Sequence, residues 1–533
     1  VTWGLAAAPI GLLLVLVLLG RTSAALNGLL TVAAAAAVGV VAFGAGPLVI
    51  GVGVVKGVWT GVWILCVVWA ALLVFHLTRE MGLMRLGDLL SSILPRPVEN
   101  VLVVAWIFPS LIQGVAGFGT PIAVAAPLLA TMGVSPVRAV ALPLVGYHWA
   151  VGFGSMGSSF YMGALTGGLE GEQVGRYATI AAAMLGTSAV LSGALVCLLH
   201  SGWHGLRQGW RVVLVAGAAM AGVQGLTVQL EPAIGAVSGA AAGLLAVGAL
   251  RAGTTRGRRE RTALPASVAA SSASGAATPA PPPKPASTEG RADSPPGPRQ
   301  AVLVMVPYVV LIAVVLTVYL PTASRTWVKE HLLVGPSLPA TVTAAGHENA
   351  SVGPYTPIAL LGHPATYLLL AAAVALMVWK ATGTWPSRRL GATLRAWRKQ
   401  ALKASPPVLL LATVATVMAD TGMVRAIAIG AARVTGDAFP AVAPLVGMTG
   451  AFTTGSTTSA NALFAGLQSQ VGELIDVPPS TLLAAQLAGG NIGNIVAPMV
   501  IAIGVTGLAI RGQESQVLRL VAMPALLLNN AVT

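Results

Sequence analysis

The chain has 533 residues, of which 56% are hydrophobic and 9% charged, and its mean hydropathy is +0.82. An ordinary soluble domain is roughly one quarter charged, so this composition excludes most soluble classes and indicates an integral membrane protein. The formal net charge of +14 would suggest nucleic acid for a soluble chain, but here the basic residues collect between apolar runs, as cytoplasmic loops do. We therefore expect a lipid bilayer as the partner, and no nucleic acid.

The N-terminal residues form an apolar stretch that has no basic segment before it and is followed by Arg21. This order favours a first membrane span over a signal peptide. We assign residues 1–56 to N-terminal transmembrane helices and residues 57–250 to a first repeat with its following spans. The two cysteines, Cys66 and Cys197, fall inside predicted spans, which argues against a disulfide scaffold and a zinc site.

An apolar run is interrupted at residues 111–130, which read LIQGVAGFGTPIAVAAPLLA. We expect residues 98–131 to enter from the cytoplasm and return to it as a helical hairpin whose tip is this glycine-rich motif. Unpaired backbone groups at membrane depth are tolerated only when they are buried in protein or line a watery cavity. The interruption therefore predicts a cavity. Close helix packing through small residues is the alternative explanation for any single glycine-rich stretch.

Two polar segments fix the predicted topology. Residues 251–300 are basic and proline-rich and are interpreted as a disordered cytoplasmic linker, and residues 380–404 form a second basic cytoplasmic segment. Two spans with an external loop should occupy 301–379, and a second repeat should occupy 405–533. The resulting fold class is an all-α polytopic membrane protein with about twelve transmembrane helices and two re-entrant helical hairpins in inverted repeats.

The repeat is visible as a recurring order of elements. EMGLMRLGDLLSSILPRP at 80–97 resembles DTGMVRAIAIGAARVTGDAFP at 420–440, and each precedes a glycine-rich hairpin and then a broken span. The broken spans are YHWAVGFGSMGSSF at 147–160 and AGGNIGNIVAP at 488–498. The charge pattern starts the first copy inside and the second outside. Paired broken helices in inverted halves are typical of secondary transporters that bind their substrate near the membrane midplane.

The tips of the broken helices favour a small anion. A half-helix N-terminus presents free N–H groups and a partial positive charge, so it attracts a carboxylate without a buried Lys or Arg. Glycines, hydroxyls and amides near the breaks add donors and allow close approach. The predicted substrate-binding residues are Gln113, Gly117, Phe118, Gly119, Thr120, Thr454, Ser456, Thr457, Ser459, Asn461, Asn491 and Asn494.

His148 lies within the first broken span. An ionisable side chain at membrane depth is by default a functional candidate, and an imidazole titrates in the range suited to proton transfer, so we assign proton coupling to it. The alternative is a neutral histidine that hydrogen-bonds carbonyls freed at the break. Four other charged residues are expected on interfacial helices as orienting or structural pairs: Glu80, Arg85, Asp420 and Arg425.

Enzyme and cofactor motifs are not convincing in this sequence. Gly152 to Gly157 formally matches the dinucleotide fingerprint, but no βαβ unit accompanies it, and no phosphate-binding loop of the G-x-x-x-x-G-K-[ST] type occurs. Catalytic dyads and metal clusters are likewise not evident in the spans. We therefore expect a transporter that is not an enzyme and that has no cofactor and no metal. A channel would differ from it in lacking saturable counterflow.

Long motifs carry a family resemblance. LIQGVAGFGTPIAVAAPLLATMGVSPVRAVAL, GFGSMG, TGAFTTGSTTSANALFAGLQ, GNIGNIVAPMVIAIG and GLAIRGQESQVLR resemble the bacterial lactate permease family, which includes glycolate permeases. The resemblance covers roughly residues 57–250 and 301–520. It implies an inner (plasma) membrane symporter that takes up lactate or glycolate with a proton.

Two departures from the family pattern bear on coupling. The pattern E-G-A-A-G-F-G begins with an acid where this chain has Gln113, and N-T-A-P-V-A-F-G stands where this chain has Tyr147 to Gly154. If that acid carries the proton in relatives, another group must do so here, and His148 is the expected replacement. The alternative is a sodium-coupled or uncoupled carrier of a different small organic anion. A homo-oligomer stays open.

Overall fold

The computed structural model describes residues 2–19, 21–90, 94–117, 119–262, 298–385 and 389–532. Most of the predicted linker at 251–300 lies outside these ranges, as does Phe118. The helices that precede the linker are α1 (Thr2–Leu19), α2 (Ala24–Phe43), α3 (Pro47–Glu80), α4 (Leu83–Leu90), α5 (Pro97–Leu102), α6 (Phe108–Val115), α7 (Thr120–Thr131), α8 (Pro136–Tyr147), α9 (Gly154–Thr166), α10 (Glu172–Thr227) and α11 (Gly235–Thr262).

The second part begins at residue 298. Its helices are α12 (Pro298–Tyr319), α13 (Thr322–Glu330), α14 (Pro364–Ala381), α15 (Leu390–Asp420), α16 (Met423–Thr435), α17 (Phe439–Thr454), α18 (Thr457–Leu474), α19 (Pro479–Val496), α20 (Pro498–Gly507) and α21 (Glu514–Val532). The segment between α12 and α14, predicted as an external loop, contains α13 and four short strands. They are β1 (Leu333–Val334), β2 (Thr341–Val342), β3 (Glu348–Asn349) and β4 (Ile358–Ala359), with antiparallel pairs β1–β4 and β2–β3.

Among the described residues, nine helices are long and apolar enough to cross a bilayer, or ten if the bent pair α19 and α20 counts as one span. One of them, α10, is 56 residues long, far more than a bilayer core of about 30 Å requires. It breaks at Ser201 and Gly202, and its halves fold back on each other, since a Cβ atom on Gly186 would lie 3.1 Å from that of Ala221. The protein is thus an all-α polytopic membrane protein, while the count of about twelve spans stays a prediction.

The predicted repeat is present in the order of the elements. Helix α3 ends at Glu80 and α15 ends at Asp420, and each is followed two residues later by a glycine with positive φ, Gly82 at 100° and Gly422 at 83°. A short amphipathic helix follows, then two helices that meet at a break, then a broken span. The elements from α3 to α9 therefore correspond to those from α15 to α20. Whether the two hairpins enter and leave the bilayer on one side stays a prediction.

The leading helices of the two repeats pack against each other in opposite directions. Gly53, Gly57 and Gly61 of α3 face Val417, Thr413 and Leu409 of α15, respectively. The residue numbers rise by four along α3 where they fall by four along α15, so the two helices are antiparallel. Because glycine has no Cβ, the two backbones approach closely along this line, as in small-residue interfaces of membrane helices. We call these six residues the glycine seam. Its antiparallel direction agrees with inverted repeats.

A buried ion pair crosses the same interface. Lys56 Nζ of α3 lies 2.8 Å from Asp420 Oδ1 of α15, and the two side chains are only 11% and 7% exposed. Asp420 therefore forms a structural pair, as predicted, but it lies buried at the end of the membrane-length helix α15 and not on an interfacial helix. Its partner is a lysine inside an apolar run. Glu80 pairs with Arg389 at 3.5 Å near the other ends of the helices. Each repeat thus places one acid against a base of the other.

The glycine seam can be tested by adding a single methyl group. A Cβ on Gly57 would lie 2.3 Å from Thr413 Cα, so Gly57→Ala must push α3 away from α15 and should cost about 1–3 kcal/mol of stability. Thermal unfolding in detergent should show a lower midpoint. The control is Gly51→Ala on the same helix, where nothing lies within 4 Å. Equal midpoints for the two variants would contradict the close approach.

Candidate functional site

The first helix break separates α6 from α7. Helix α6 ends at Val115, and Gly119, with φ of 77°, precedes α7, whose second residue is Pro121. A proline there costs nothing, because the first amides of a helix have no partner within it. The N–H of Gly117 donates to Ser155 Oγ at 2.8 Å. Helix α7 then packs back along residues 103–107 and α4, so α6 and α7 form a hairpin with its tip at 116–119.

The second break separates α17 from α18. Gly455, with φ of 68°, ends α17, and Ser456 caps the start of α18, its Oγ accepting from the N–H of Ser459 at 3.3 Å. Helices α17 and α18 also fold against each other, since a Cβ on Gly450 would lie 2.9 Å from that of Ala460. This hairpin therefore corresponds to the first one.

A broken span follows each hairpin. In the first, α8 ends at Tyr147, a short 3-10 turn covers 148–150, and three successive residues at the start of α9 adopt left-handed conformations: Ser155 (φ 47°), Met156 (φ 54°) and Gly157 (φ 74°). Non-glycine residues in this conformation cost of order 1–2 kcal/mol each and persist where the surroundings enforce them. In the second broken span, Ala497 separates α19 from α20, which are bent by 41°.

The four breaks converge on one small cavity of about 40 Å³. Both hairpin tips and both broken spans contribute to its wall, and none of its described lining residues is charged. The lining residues are Gln113, Gly119, Tyr147, Val151, Ser155, Ser159, Gly455, Ser456, Thr457, Thr458, Asn494 and Val500. The site is therefore built from hydroxyls, amides and helix ends rather than from ionic groups.

Five of the predicted substrate-binding residues line this cavity, namely Gln113, Gly119, Ser456, Thr457 and Asn494. Asn494 is held in place because its Nδ2 donates to Thr457 Oγ1 at 2.6 Å. This bond joins the second hairpin to the second broken span.

Four other predicted residues lie near the cavity without lining it. Gly117 binds Ser155 through its N–H, and Thr120 is buried at the start of α7. The Nδ2 of Asn461 donates to the carbonyl of Ser159 at 2.8 Å, and that of Asn491 donates to Trp149 at 3.4 Å. These two asparagines thus stabilise the neighbouring backbone.

Two predicted residues lie on the far side of the second tip. Thr454 and Ser459 line a separate, mostly apolar cavity of about 490 Å³ between the tip and helices α1, α2 and α15. Thr454 Oγ1 donates to Gly450 at 2.8 Å, so its hydroxyl is used within its own helix. Phe118 lies outside the described residues, and its predicted role is not assessed.

His148 is buried in the 3-10 turn and does not line the cavity. It is 1% exposed, and its Nδ1 lies 2.8 Å from the carbonyl oxygen of Val145. This bond is of the kind expected for a histidine that pairs with a carbonyl freed at the break. Its Nε2 has no hydrogen-bond partner among the described residues. The adjacent Tyr147 does line the cavity.

Sequence reasoning missed several lining residues as site residues. Ser155 and Ser159 belong to the broken motif GFGSMGSS, so a polar side chain at a break was the available signal. Thr458, in the hydroxyl-rich run after Gly455, is among the donors expected after the second break. Ser159 Oγ and Thr458 Oγ1 lie 2.9 Å apart, which ties α9 to the second tip. Tyr147, Val151 and Val500 complete the wall and carry no comparable signal.

The geometry favours a small anion. Helices α7 and α18 both begin at the cavity, and a helix start carries free N–H groups and a partial positive charge. Because Ser456 caps the amide of Ser459, the amides of Thr457 and Thr458 are the ones left without a partner in α18. Helix starts that carry hydroxyls are well suited to hold a carboxylate.

The comparisons with known proteins agree with the resemblance seen in the motifs. The chain matches the model of the L-lactate permease family over residues 4–533. It belongs to this family. This family member is 26% identical over 490 residues to glycolate permease GlcA of Escherichia coli strain K12, covering 88% of this chain and 82% of that protein. It is also 26% identical over 479 residues to the L-lactate permease of Salmonella typhimurium, covering 87% and 82%.

A solved structure, the YdaH transporter of Alcanivorax borkumensis, is similar with a TM-score of 0.45 and 14% identity, over 89% of this chain and 85% of that one. Family membership together with the long apolar helices makes this L-lactate permease family member a multi-pass protein of the inner membrane. The named relatives are permeases, that is, transport proteins.

The bond that holds the first tip can be tested by hydrogen exchange. Ser155→Ala in this permease family member removes the acceptor of the Gly117 N–H and should destabilise the tip by about 1–3 kcal/mol, which speeds amide exchange at 113–121 roughly tenfold or more. The control is Ser192→Ala, since Ser192 is also buried but donates only to Ala189 of its own helix. Unchanged exchange at the tip would show that the bond is unimportant.

Proposed function

We propose that this protein is a secondary active transporter that carries a short 2-hydroxy monocarboxylate, lactate or glycolate, across the plasma membrane together with a proton. The observation that carries the proposal is the convergence of two helix starts and a set of hydroxyl and amide groups on one cavity without charged residues. Relatives named as lactate and glycolate permeases support the same substrate class. A transporter, not an enzyme, is the class that fits.

Different groups of the cavity wall fit different parts of the proposed substrate. The amides and hydroxyls of Thr457 and Thr458 would hold the carboxylate at the start of α18. Gln113 and Asn494 offer amide groups that can donate to and accept from the 2-hydroxyl group of the substrate. Val151 and Val500 give an apolar surface for the carbon chain. Together they provide the few convergent polar groups and apolar wall of a typical small-molecule site.

The size of the cavity supports a short acid. A cavity of about 40 Å³ holds about three water molecules, since each needs roughly 10–15 Å³ of such volume. A two-carbon or three-carbon acid therefore requires only a slight parting of the tips, whereas a longer chain requires a large one. In our proposal the two hairpins part first toward one side of the membrane and then toward the other.

Proton coupling through His148 belongs to the proposal. Its Nε2 lacks a partner among the described residues, and it is next to Tyr147, which lines the cavity. Gln113 stands where the family pattern has an acid, and an amide cannot carry a proton at physiological pH. Coupling to sodium is the second candidate, because Gln113, Asn494 and backbone carbonyls at the breaks supply oxygen ligands.

The substrate site can be tested by removing one hydroxyl. Thr458→Ala deletes a cavity-lining donor and should weaken the binding of lactate or glycolate about tenfold, the loss expected for a hydrogen bond to a charged group. Binding is measured on purified protein by calorimetry. The matched control is Thr453→Ala, whose hydroxyl donates to Thr449 of its own helix outside the cavity. Unchanged binding in Thr458→Ala would place the carboxylate elsewhere.

The coupling ion can be tested in proteoliposomes. His148→Gln should abolish lactate accumulation driven by a pH gradient and leave lactate exchange largely intact, because exchange needs no net movement of the coupling ion. Uptake is measured with an imposed pH gradient and, separately, with a sodium gradient. Full pH-driven accumulation in the variant would remove His148 from the proton path. Accumulation by the wild type with the sodium gradient alone would favour the sodium-coupled carrier.

A further inference from the structure

A buried acid lies in the turn between α10 and α11. Glu231 is 3% exposed, and its Oε1 accepts from the N–H of Ala233 at 3.3 Å, which caps the short 3-10 turn Pro232–Ile234. The sequence analysis passed over this residue because it stands between two spans.

The turn lies beside the helix breaks. A Cβ on Gly114, just before the first tip, would lie 2.8 Å from Val237 Cα of α11. A Cβ on Gly157, in the left-handed bend of α9, would lie 3.3 Å from Ala233 Cα. The turn that carries Glu231 therefore contacts α9, and α11, which follows the turn, contacts α6.

A direct hydrogen bond joins the acid to α9. The hydroxyl of Tyr161 donates to Glu231 Oε1, and the Tyr161 ring would lie 3.1 Å from a Cβ on Gly157, one helical turn earlier. The same bend presents Ser155 to the cavity and to the Gly117 N–H. Tyr161 therefore links Glu231 to the helix that is hydrogen-bonded to both hairpin tips.

No basic side chain forms an ion pair with Glu231 in the described parts of the chain. The groups that face it are phenols: Tyr161 from α9, Tyr319 from α12 and Tyr367 from α14. Beyond them, Lys329 Nζ lies 5.2 Å from the centre of the Tyr319 ring.

His363 does not supply a positive charge either. His363 lies beyond Trp63, whose ring is 5.0 Å from that of Tyr161 and 4.4 Å from that of His363. Burial lowers the pKa of His363 to about 4, and its Nδ1 accepts from the N–H of Ala365. The imidazole is therefore neutral, and Glu231 is a buried carboxyl held by neutral donors.

We propose that Glu231, held by Tyr161, is a proton-binding site of the transport cycle, an inference that rests on the proposed proton symport. A buried ionised carboxylate without a cation is costly, so Glu231 takes a proton from water while a path to it is open, keeps that proton when the path closes, and releases it to water when a path opens on the other side. When Glu231 and the substrate are counted together, the buried negative charge is one without substrate, on Glu231. It is also one with substrate, because the substrate carboxylate is then charged and Glu231 is neutral.

The proposal assigns separate tasks to two residues. Glu231 holds the proton in series with His148 on the proposed proton path, and Tyr161 positions the carboxyl group of Glu231 through the phenol hydrogen bond and transmits its state to α9. Loss of Tyr161 should therefore change the pH at which transport is half-maximal without abolishing coupling. Loss of the carboxyl group should abolish coupling itself.

The experiment compares variants of the full chain in proteoliposomes with radiolabelled lactate. Wild type, Glu231→Gln, Tyr161→Phe and a control, Glu172→Gln, are each assayed for exchange at equal pH and for accumulation with an acid-outside gradient. Glu172 is an exposed acid in the first turn of α10. We expect Glu231→Gln to keep exchange and to lose accumulation, Tyr161→Phe to shift the pH midpoint of accumulation, and Glu172→Gln to behave as wild type.

The outcomes separate this inference from the proposed function. Wild-type protein without saturable lactate or glycolate exchange would defeat the proposed function. If Glu231→Gln accumulates lactate as well as the wild type does, the role of Glu231 is overturned, and the proposed transport function still stands. If Glu231→Gln does not fold, Glu231→Asp decides: a shifted pH midpoint supports the inference, and an unshifted one with wild-type accumulation overturns it.

Discussion

Every backbone group that a helix break frees inside the membrane must find a partner within the protein, because lipid offers none. This requirement explains why the breaks of this chain lie together. The N–H of Gly117 finds Ser155, the carbonyl of Trp149 finds Asn491, and the carbonyl of Ser159 finds Asn461. Each partner belongs to another broken span or hairpin, so the breaks stabilise one another. A single break alone would leave its groups without partners.

Under the proposed function, the same arrangement would let the site hold an anion without containing a charge. A buried Lys or Arg would need a permanent counter-charge whenever the substrate left. Helix starts and hydroxyls need none, since their dipoles are weakly attractive and the hydroxyls have partners within the protein, as Thr457 has Asn494 and Thr458 has Ser159.

The sequence predicted the parts of this architecture that depend on local chemistry. Gly119 with Pro121, and Gly455 with Ser456, mark a helix end and a helix start whatever surrounds them, and the recurring acid and glycine at Glu80 and Asp420 revealed the repeat. The family and the membrane class followed from long motifs and from composition. These features can be predicted from the sequence without knowing which face of a helix points into the protein.

The side of each helix that faces the cavity could not be read in the same way. Successive helical residues are rotated by about 100°, so Thr457 and Ser459 point in nearly opposite directions, and only Thr457 lines the cavity. Lys56 was hidden in an apolar run, and its partner Asp420 lies 364 positions away. Such pairings, like that of Glu231 with Tyr161, arise only when distant elements pack together.

The glycine seam has a consequence for how the molecule can move. The backbones of α3 and α15 are in close contact at three successive helical turns, with no flexible side chains between them. The buried ion pair of Lys56 and Asp420 fixes the position of one helix along the other. Helices α3 and α15 therefore form one rigid unit shared by the two halves. In the proposed transport cycle, the hairpins and broken spans would move relative to this unit, with the glycine turns at Gly82 and Gly422 as the flexible connections.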